Sequence, residues 1–221
     1  MKKIIGLMVL AMLVIGTVGA AAAEDFDVVG GFTYNTFNLS VTQDGETIIE
    51  SDDVEDDLQS GMGFFIGGRY WVKDDIAVGI GYDTASSNDE EEQTYEGITG
   101  DYERDISLSG PYAEVVYSLN ESINLNAAVA SYSYDLKVKF ADFDRETVEK
   151  GSGLGFIIGG ELDYSINEDF AVVGGVNYRM ADLGVDESQS TETGELVDVS
   201  DEKVKIDMSG MRANIGVSYS F

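Results

Sequence analysis

The chain has 221 residues, 42 acidic and 13 basic, and a formal net charge of −29. Nucleic acid and anionic lipid surfaces repel such a polyanion, so we expect neither as a partner. Histidine and cysteine are absent, which excludes disulfides, thiolate or imidazole metal sites and His-dependent hydrolases. We therefore expect a protein without enzymatic activity or cofactor, although a hydrolase built on carboxylates alone stays open.

The first 23 residues have the pattern of a secretory signal peptide. Lysines at 2 and 3 precede an apolar run over 4–18, and small residues follow to Ala23. The apolar run is short for a transmembrane helix, so we expect cleavage after about Ala23 and a mature domain over 24–221. No further stretch has the length and apolar character of a membrane helix, so residence in a membrane requires a closed β-barrel.

From Phe26 onward the chain alternates apolar and polar or small residues with period two, which predicts β-strands. In 61–73, for example, Met62, Phe64 and Ile66 share one face, and Gly63, Gly67 and Arg69 lie on the other. The same pattern gives eight strands in all. They are predicted near 26–41, 61–73, 76–87, 105–119, 123–140, 153–166, 170–183 and 204–221.

The connections between these strands are alternately tight and long. Tight turns are predicted at 73–75, 120–122 and 167–169. Long loops are predicted at about 42–60, 88–104, 141–152 and 184–203. An even strand count with this alternation predicts an all-β fold, an eight-stranded antiparallel up-and-down transmembrane barrel with its tight turns on the periplasmic side.

A soluble barrel of the lipocalin type would alternate as well, but with its apolar face inward. Here the face opposite the apolar one holds many glycines and few charges, which favours a narrow lumen inside a lipid-facing barrel. Two strands change phase, around Gly110-Pro111 and near residue 130, and bulges are the predicted cause.

Aromatic residues cluster near the predicted strand ends, as interfacial girdles require. The girdle predicted at the tight turns comprises Phe26, Tyr70, Trp71, Tyr117, Tyr164, Phe170, Tyr219 and Phe221. The candidates for the outer girdle are Tyr34, Phe37, Tyr82, Tyr132, Tyr134 and Tyr178.

Over nearly all of 26–221 this pattern resembles the small outer-membrane barrels of the OmpA-like and OmpX-like kind. Tyr219 and Phe221, at the end of the last strand, are similar to the C-terminal signal that such proteins present to the barrel-assembly machinery. The resemblance implies location in the cell outer membrane, with outer-membrane lipid and the assembly machinery as partners. We expect a monomer.

Strand phase directs seven charged residues into the lumen. A salt-bridged plug is the favoured interpretation, because an unpaired buried charge is costly, and gating of a small pore is the alternative. The predicted lumen network comprises Arg69, Asp83, Glu114, Glu161, Asp163, Arg179 and Arg212.

Most of the acidic residues fall in the four long loops. A solvated surface suited to high salt is the favoured explanation, and binding of divalent cations or of a basic partner are the alternatives. The candidate metal ligands are Asp52, Asp53, Asp56 and Asp57, which lack the spacing of a calcium-binding EF-hand loop.

The sequence thus predicts an outer-membrane barrel with a structural or surface-interaction role and acidic extracellular loops. A narrow, porin-like, cation-preferring pore is the alternative, and eight strands favour the first because side chains just fill so small a barrel.

Overall fold

The computed structural model describes residues 26–49, 59–95, 98–140, 145–189, 196–200 and 203–221. The predicted signal peptide and the candidate metal ligands at 52, 53, 56 and 57 lie outside the described residues. Within the described residues, twelve strands form one antiparallel sheet. In chain order they are β1 (Phe26–Thr36), β2 (Ser40–Gln43), β3 (Glu46–Ile49), β4 (Ser60–Lys73), β5 (Ile76–Tyr95), β6 (Ile98–Asn120), β7 (Ile123–Phe140), β8 (Arg145–Ser165), β9 (Phe170–Gln189), β10 (Leu196–Asp198), β11 (Val204–Asp207) and β12 (Gly210–Ser220).

Eight of these strands close into a ring, because β12 pairs with β1 on one side and with β9 on the other. The order around the ring is β1, β4, β5, β6, β7, β8, β9 and β12. The predicted eight-stranded antiparallel barrel is therefore confirmed. Tight turns join β4 to β5, β6 to β7 and β8 to β9 at one end of the barrel, which we call the turn end.

At the opposite end several strands run well beyond the predicted limits. The predicted loop over 88–104 is wrong, because β5 and β6 stay paired as far as Tyr95 and Ile98. β8 begins at Arg145 and β9 runs to Gln189, so the predicted loops around them are shorter. Once the barrel sets the register, backbone pairing continues into acidic segments because it needs no apolar side chains.

We call the part of the barrel at this end, opposite the tight turns, the extension; it includes the far ends of β5 to β9. Ion pairs between its neighbouring strands offset part of the acidic charge. Arg104 Nη2 lies 2.6 Å from Asp89 Oδ2, and Lys139 Nζ lies 3.4 Å from Glu103 Oε2. The short strands β2, β3 and β11 belong to the extension as well, with β11 pairing both β9 and β2.

The outward face of the barrel carries a continuous apolar band. Ile80, Leu154 and Ile215, on three different strands, are 73%, 64% and 64% exposed. Along β4 the band runs from Met62 to Val72, about 25 Å along the barrel axis at a usual strand tilt. That height matches the hydrocarbon core that such barrels span.

Aromatic rings gather at the turn end of this band. The ring centre of Tyr219 lies 4.7 Å from those of both Phe170 and Phe221. Trp71 differs from its predicted girdle position: it lies on the same side of β4 as Arg69 and donates a hydrogen bond to Asp27 Oδ2 at 2.6 Å.

At the other edge of the band, Tyr34, Tyr82 and Tyr178 face outward and are 50%, 42% and 41% exposed. The outer-girdle positions predicted for Phe37, Tyr132 and Tyr134 are wrong. All three side chains are buried inside the barrel, where they pack in an apolar core.

The predicted bulges in the two phase-changing strands are also absent. In β6 the inward positions stay on even numbers from Ile106 to Val116, and the register with β7 shifts only between Ser118 and Asn120, beside the turn. What changes along these strands is the chemistry of each face. Within the band the apolar face meets lipid, whereas beyond it the outside meets water and the apolar side chains face inward.

The interior therefore has two parts. Toward the turn end it holds the charged side chains beside a small apolar cluster of Val29, Phe65 and Val173, and from the outer part of the band into the extension it is an apolar core. The core consists of Phe37, Leu39, Ala85, Ile106, Leu108, Tyr112, Ala128, Ala130, Tyr132, Tyr134, Ile157, Ala181, Leu183, Val185, Ile206 and Met208.

Candidate functional site: the closed interior of the barrel

A buried charge cluster lies in the turn-end half of the lumen. Arg69 on β4 meets Glu114 on β6 and Glu161 on β8, and all three are at least 94% buried. Arg69 Nε donates to Glu114 Oε1 at 2.8 Å, Nη1 donates to Glu161 Oε1 at 2.5 Å, and Nη2 donates to Glu161 Oε2 at 3.3 Å. The guanidinium thus joins strands from opposite sides of the lumen.

A glycine makes this crossing possible. Gly79 of β5 lies in register between Arg69 and Glu114, and a Cβ there would approach the Glu114 side chain to 3.0 Å. The missing side chain leaves room for Arg69 to reach over β5. At this position the small lumen-facing residue therefore provides the space that a neighbouring charged side chain uses.

Farther from the turns, Asp83 of β5 pairs with Arg212 of β12. Arg212 Nη2 lies 3.3 Å from Asp83 Oδ1, and the Tyr132 hydroxyl donates to Asp83 Oδ2 at 3.1 Å. The Arg212 guanidinium also lies 5.1 Å from the centre of the Phe65 ring. The ion pair and the tyrosine hydroxyl compensate for burial of the Asp83 charge, and the ion pair and the aromatic face compensate for burial of the Arg212 charge.

Arg179 of β9 is fully buried and lies where the charged lumen meets the apolar core. Its Nη1 donates to Asn35 Oδ1 at 3.3 Å, its Nε donates to the Met208 carbonyl at 3.4 Å, and its guanidinium lies 5.7 Å from the centre of the Tyr132 ring. Within the described residues, no carboxylate lies within 4.0 Å of it. Neutral acceptors and aromatic rings therefore hold this cation.

The seventh predicted lumen residue, Asp163, forms no ion pair with either cluster in the described part of the chain. It is only half-buried near the turn end, where Asn124 Nδ2 donates to its Oδ2 at 2.7 Å. The structure thus divides the predicted network into Arg69 with two glutamates, Asp83 with Arg212, and two separate residues, Asp163 and Arg179. Among the described residues, three arginines and three carboxylates are fully buried in the lumen, so these charges balance in number although Arg179 has no carboxylate partner.

The apolar core closes the lumen above the charges. Leu108, Leu183 and Met208 are at most 1% exposed, and Tyr134 packs so closely against Gly151 that a Cβ at this glycine would collide with its ring. The outward neighbours in this part of the barrel are polar, among them Ser131 and Ser133. The sequence contains a signal for this core. Leu108 and Glu114 are an even number of residues apart in one strand, so their side chains face the same, inward side.

A carboxylate, Glu149, borders the core in the extension and is half-buried. Burial raises its pKa above the usual value of 4.5, because water is partly excluded from the charged form. Burial also raises the pKa of the Tyr134 phenol, to which the nearby charges of Glu149 and Asp186 add. This end of the interior therefore disfavours negative charge.

Among the described residues, no group of three or more acidic side chains is arranged to hold a metal ion. The candidate ligands Asp52, Asp53, Asp56 and Asp57 lie outside those residues. In the described part of the chain, no helix has the length and apolar character needed to cross a membrane.

Solved outer-membrane proteins share this fold at low sequence identity. The attachment invasion locus protein Ail of Yersinia pestis, crystallised with the heparin analogue sucrose octasulfate, is 16% identical over 90% of this chain and 100% of its own, with a TM-score of 0.53. OprG of Pseudomonas aeruginosa is 14% identical over 89% and 95%, with a TM-score of 0.54. A major outer membrane protein of Thermus thermophilus is 11% identical over 88% and 99%, with a TM-score of 0.50.

Among curated proteins, none matches the chain. A family model described as the outer membrane protein beta-barrel domain matches residues 8–221, almost the whole sequence. The chain therefore belongs to the outer membrane protein β-barrel domain family and is a protein of the cell outer membrane.

Proposed function

We propose that this protein is a closed, non-enzymatic anchor in the outer membrane that presents an acidic extension outside the cell. The observation that carries the proposal is the Arg69 cluster. Its guanidinium bonds carboxylates on β6 and β8 across the lumen, and the apolar core lies above it. A hydrated ion would have to break buried ion pairs and then cross an apolar layer, both of which are costly.

The extension is the part available to partners. Acidic residues occur within its paired strands β5 and β6, and the molecule carries a net charge of −29. A solvated surface suited to salt is the role that this charge favours, with divalent cations or a basic partner as further candidates. The sulfated ligand crystallised with Ail is a polyanion, and a chain this acidic would repel it.

The absence of histidine supports the non-enzymatic part of the proposal. Without an imidazole, acyl transfer by a serine triad and imidazole-based metal catalysis both lack their base or ligand. The turn tips that we place on the periplasmic side are short, so the extension offers the larger surface for any partner.

A second candidate is a narrow, cation-preferring pore. One observation favours it: among the described lumen residues toward the turn end, the carboxylates of Glu114, Glu161 and Asp163 outnumber the guanidinium of Arg69. Such a mouth would attract cations, and transient opening of the Arg69 pairs would give them a path.

Planar-bilayer recording of the refolded full chain distinguishes the two candidates. We expect no stable current steps from the wild type, from Glu161→Gln, or from Lys205→Gln, a matched change at an exposed ion pair. Heat-modifiable gel migration verifies that each variant is folded. Stable ohmic steps in the wild type that disappear in Glu114→Gln or Glu161→Gln would establish the pore and overturn the closed anchor.

A further inference from the structure

The Arg69 cluster and Arg212 border a small cavity inside the lumen. The space that the centre of a water-sized sphere can reach within it is about 10 Å³. One water molecule requires roughly 10–15 Å³ on this measure, so the cavity can hold one. The charged and amide side chains that line it are Arg69, Glu114, Asn126, Glu161, Arg212 and Asn214.

Two buried polar atoms of this lining have no hydrogen-bond partner among the described residues. One is the acceptor Asn126 Oδ1 on β7, and the other is the donor Arg212 Nε on β12. Asn126 is 91% buried and Arg212 is 94% buried, so bulk solvent hydrates neither atom. Because a buried polar atom without a partner is costly, a ligand that both donates and accepts would stabilise this site.

Comparable side chains in the lumen do have partners within the protein. Asn214 Oδ1 accepts a hydrogen bond from Asn177 Nδ2 at 3.0 Å, and Asn124 Nδ2 donates to Asp163 Oδ2 at 2.7 Å. Arg212 approaches Asp83 through its Nη2, at 3.3 Å, which leaves its Nε for another acceptor. The two atoms at the cavity therefore mark a place where the described side chains do not complete the lumen network.

The charges around the cavity disfavour an ion as the ligand. Two arginines and two glutamates line it and cancel, so no net charge attracts a cation or an anion. Burial of an additional, unpaired ion would also be costly. A cavity with polar walls holds water, whereas cavities that stay dry have apolar walls.

We infer that this cavity is a binding site for one structural water molecule. The water accepts a hydrogen bond from Arg212 Nε and donates to Asn126 Oδ1 and to the carboxylate of Glu114, whose Oε1 also accepts from Arg69 at 2.8 Å. Three partners are the usual number for a buried water. The water thereby joins the Arg69 cluster and the Asp83–Arg212 pair into one hydrogen-bonded network across the lumen.

Crystal structures of the refolded full chain, at a resolution that shows ordered water, test this site. We expect one water peak within hydrogen-bond distance of Asn126 Oδ1 and Arg212 Nε in the wild type. Ala128→Leu places a larger side chain in the cavity and should remove the peak. Asn126→Leu removes the acceptor at similar side-chain size and should remove the peak as well. Heat-modifiable gel migration verifies that each variant is folded.

The matched control is Ala127→Leu, the same substitution at the neighbouring lipid-facing position of β7, which should keep the water peak. A direct hydrogen bond between Arg212 Nε and Asn126 Oδ1 in the wild type would overturn the site. So would a peak that Ala127→Leu and Ala128→Leu remove equally. An anomalous scattering signal at the peak would assign it to an ion and would also overturn the inference.

NMR of the refolded chain in detergent micelles tests whether the water is bound in solution. We expect magnetisation transfer from water to the Nε proton of Arg212 in the wild type and in Tyr112→Phe, which removes a lining hydroxyl able to relay the signal. Loss of the transfer in Tyr112→Phe would mean relay through that hydroxyl and would contradict a bound water. Bilayer recording tests the closed anchor separately, so the failure of either proposal is visible by itself.

Discussion

The guanidinium of Arg179 lies 5.1 Å from the centre of the Phe37 ring, at the boundary between the charged lumen and the apolar core. Both side chains are at least 98% buried. An aromatic face thus replaces part of the water that a buried cation loses, which allows charge and an apolar core to meet inside one barrel.

A double-mutant cycle on this pair measures that interaction. We expect Phe37→Leu, Arg179→Met and the double variant to give a coupling energy of about 1–2 kcal/mol in free energy of unfolding. Urea unfolding of the refolded protein, followed by the fluorescence of the single tryptophan, provides the values. Additive effects of the two substitutions would mean that the ring and the guanidinium merely pack side by side.

Loss of Arg69 should cost more than loss of its partners. Arg69→Met leaves Glu114 and Glu161 buried without their cation, and we expect destabilisation of about 3–5 kcal/mol. The triple variant Arg69→Met, Glu114→Met and Glu161→Leu should recover most of this loss, because it removes the charges as well as the pairing. A triple variant no more stable than Arg69→Met would show that the ion pairs themselves hold the barrel together.

The alternation along each strand predicts which charged residues face the lumen, but it does not predict which of them form ion pairs. Alternation in β4, β6 and β8 is visible residue by residue, so it indicates that Arg69, Glu114 and Glu161 face inward. Which of them meet depends on the tilt and stagger of the closed ring, which no single strand encodes. The division between the Arg69 cluster and the Asp83 pair therefore required the structure.

The apolar core of the extension should behave like the core of a soluble protein. Leu183→Ala, at a fully buried position, should cost about 2–5 kcal/mol in free energy of unfolding. Its outward neighbour Asp182 forms only an exposed pair with Lys205, so Asp182→Ala should cost less than about 1 kcal/mol. Similar costs at 182 and 183 in urea unfolding would contradict the assignment of inward and outward faces.

The stability of the extension should depend on pH through Glu149. Because burial raises its folded pKa above the usual 4.5, its ionisation opposes folding, and the associated stability is lost as the pH rises through the folded pKa. Glu149→Gln should therefore match the wild type at low pH and be more stable above the folded pKa. Glu187→Gln, an exposed position on β9, is the matched control. A Glu149→Gln advantage that does not change with pH would contradict this prediction.

The loop and bulge predictions for the extension are wrong for a specific physical reason. The apolar residues of β6 move from odd positions such as Val115 to even ones such as Leu108, and a bulge is the usual cause of such a change. Here the strand is regular, and the solvent around it changes from lipid to water. The predicted outer-girdle positions of Tyr132 and Tyr134 are wrong for the same reason, because the prediction places the apolar face of a strand outward along its whole length.

The most direct test of this change in the outward face is a cysteine scan of β7, since the native chain has no cysteine. Single cysteines replace Val129, Ser131, Tyr132, Ser133 and Tyr134 in the refolded protein in lipid vesicles, and a charged, membrane-impermeant maleimide is added outside. The regular strand predicts labelling at 131 and 133, and protection at 129 by lipid and at 132 and 134 by the core. Labelling at 132 and 134 with protection at 131 and 133 would establish a bulge and contradict the apolar-cored extension.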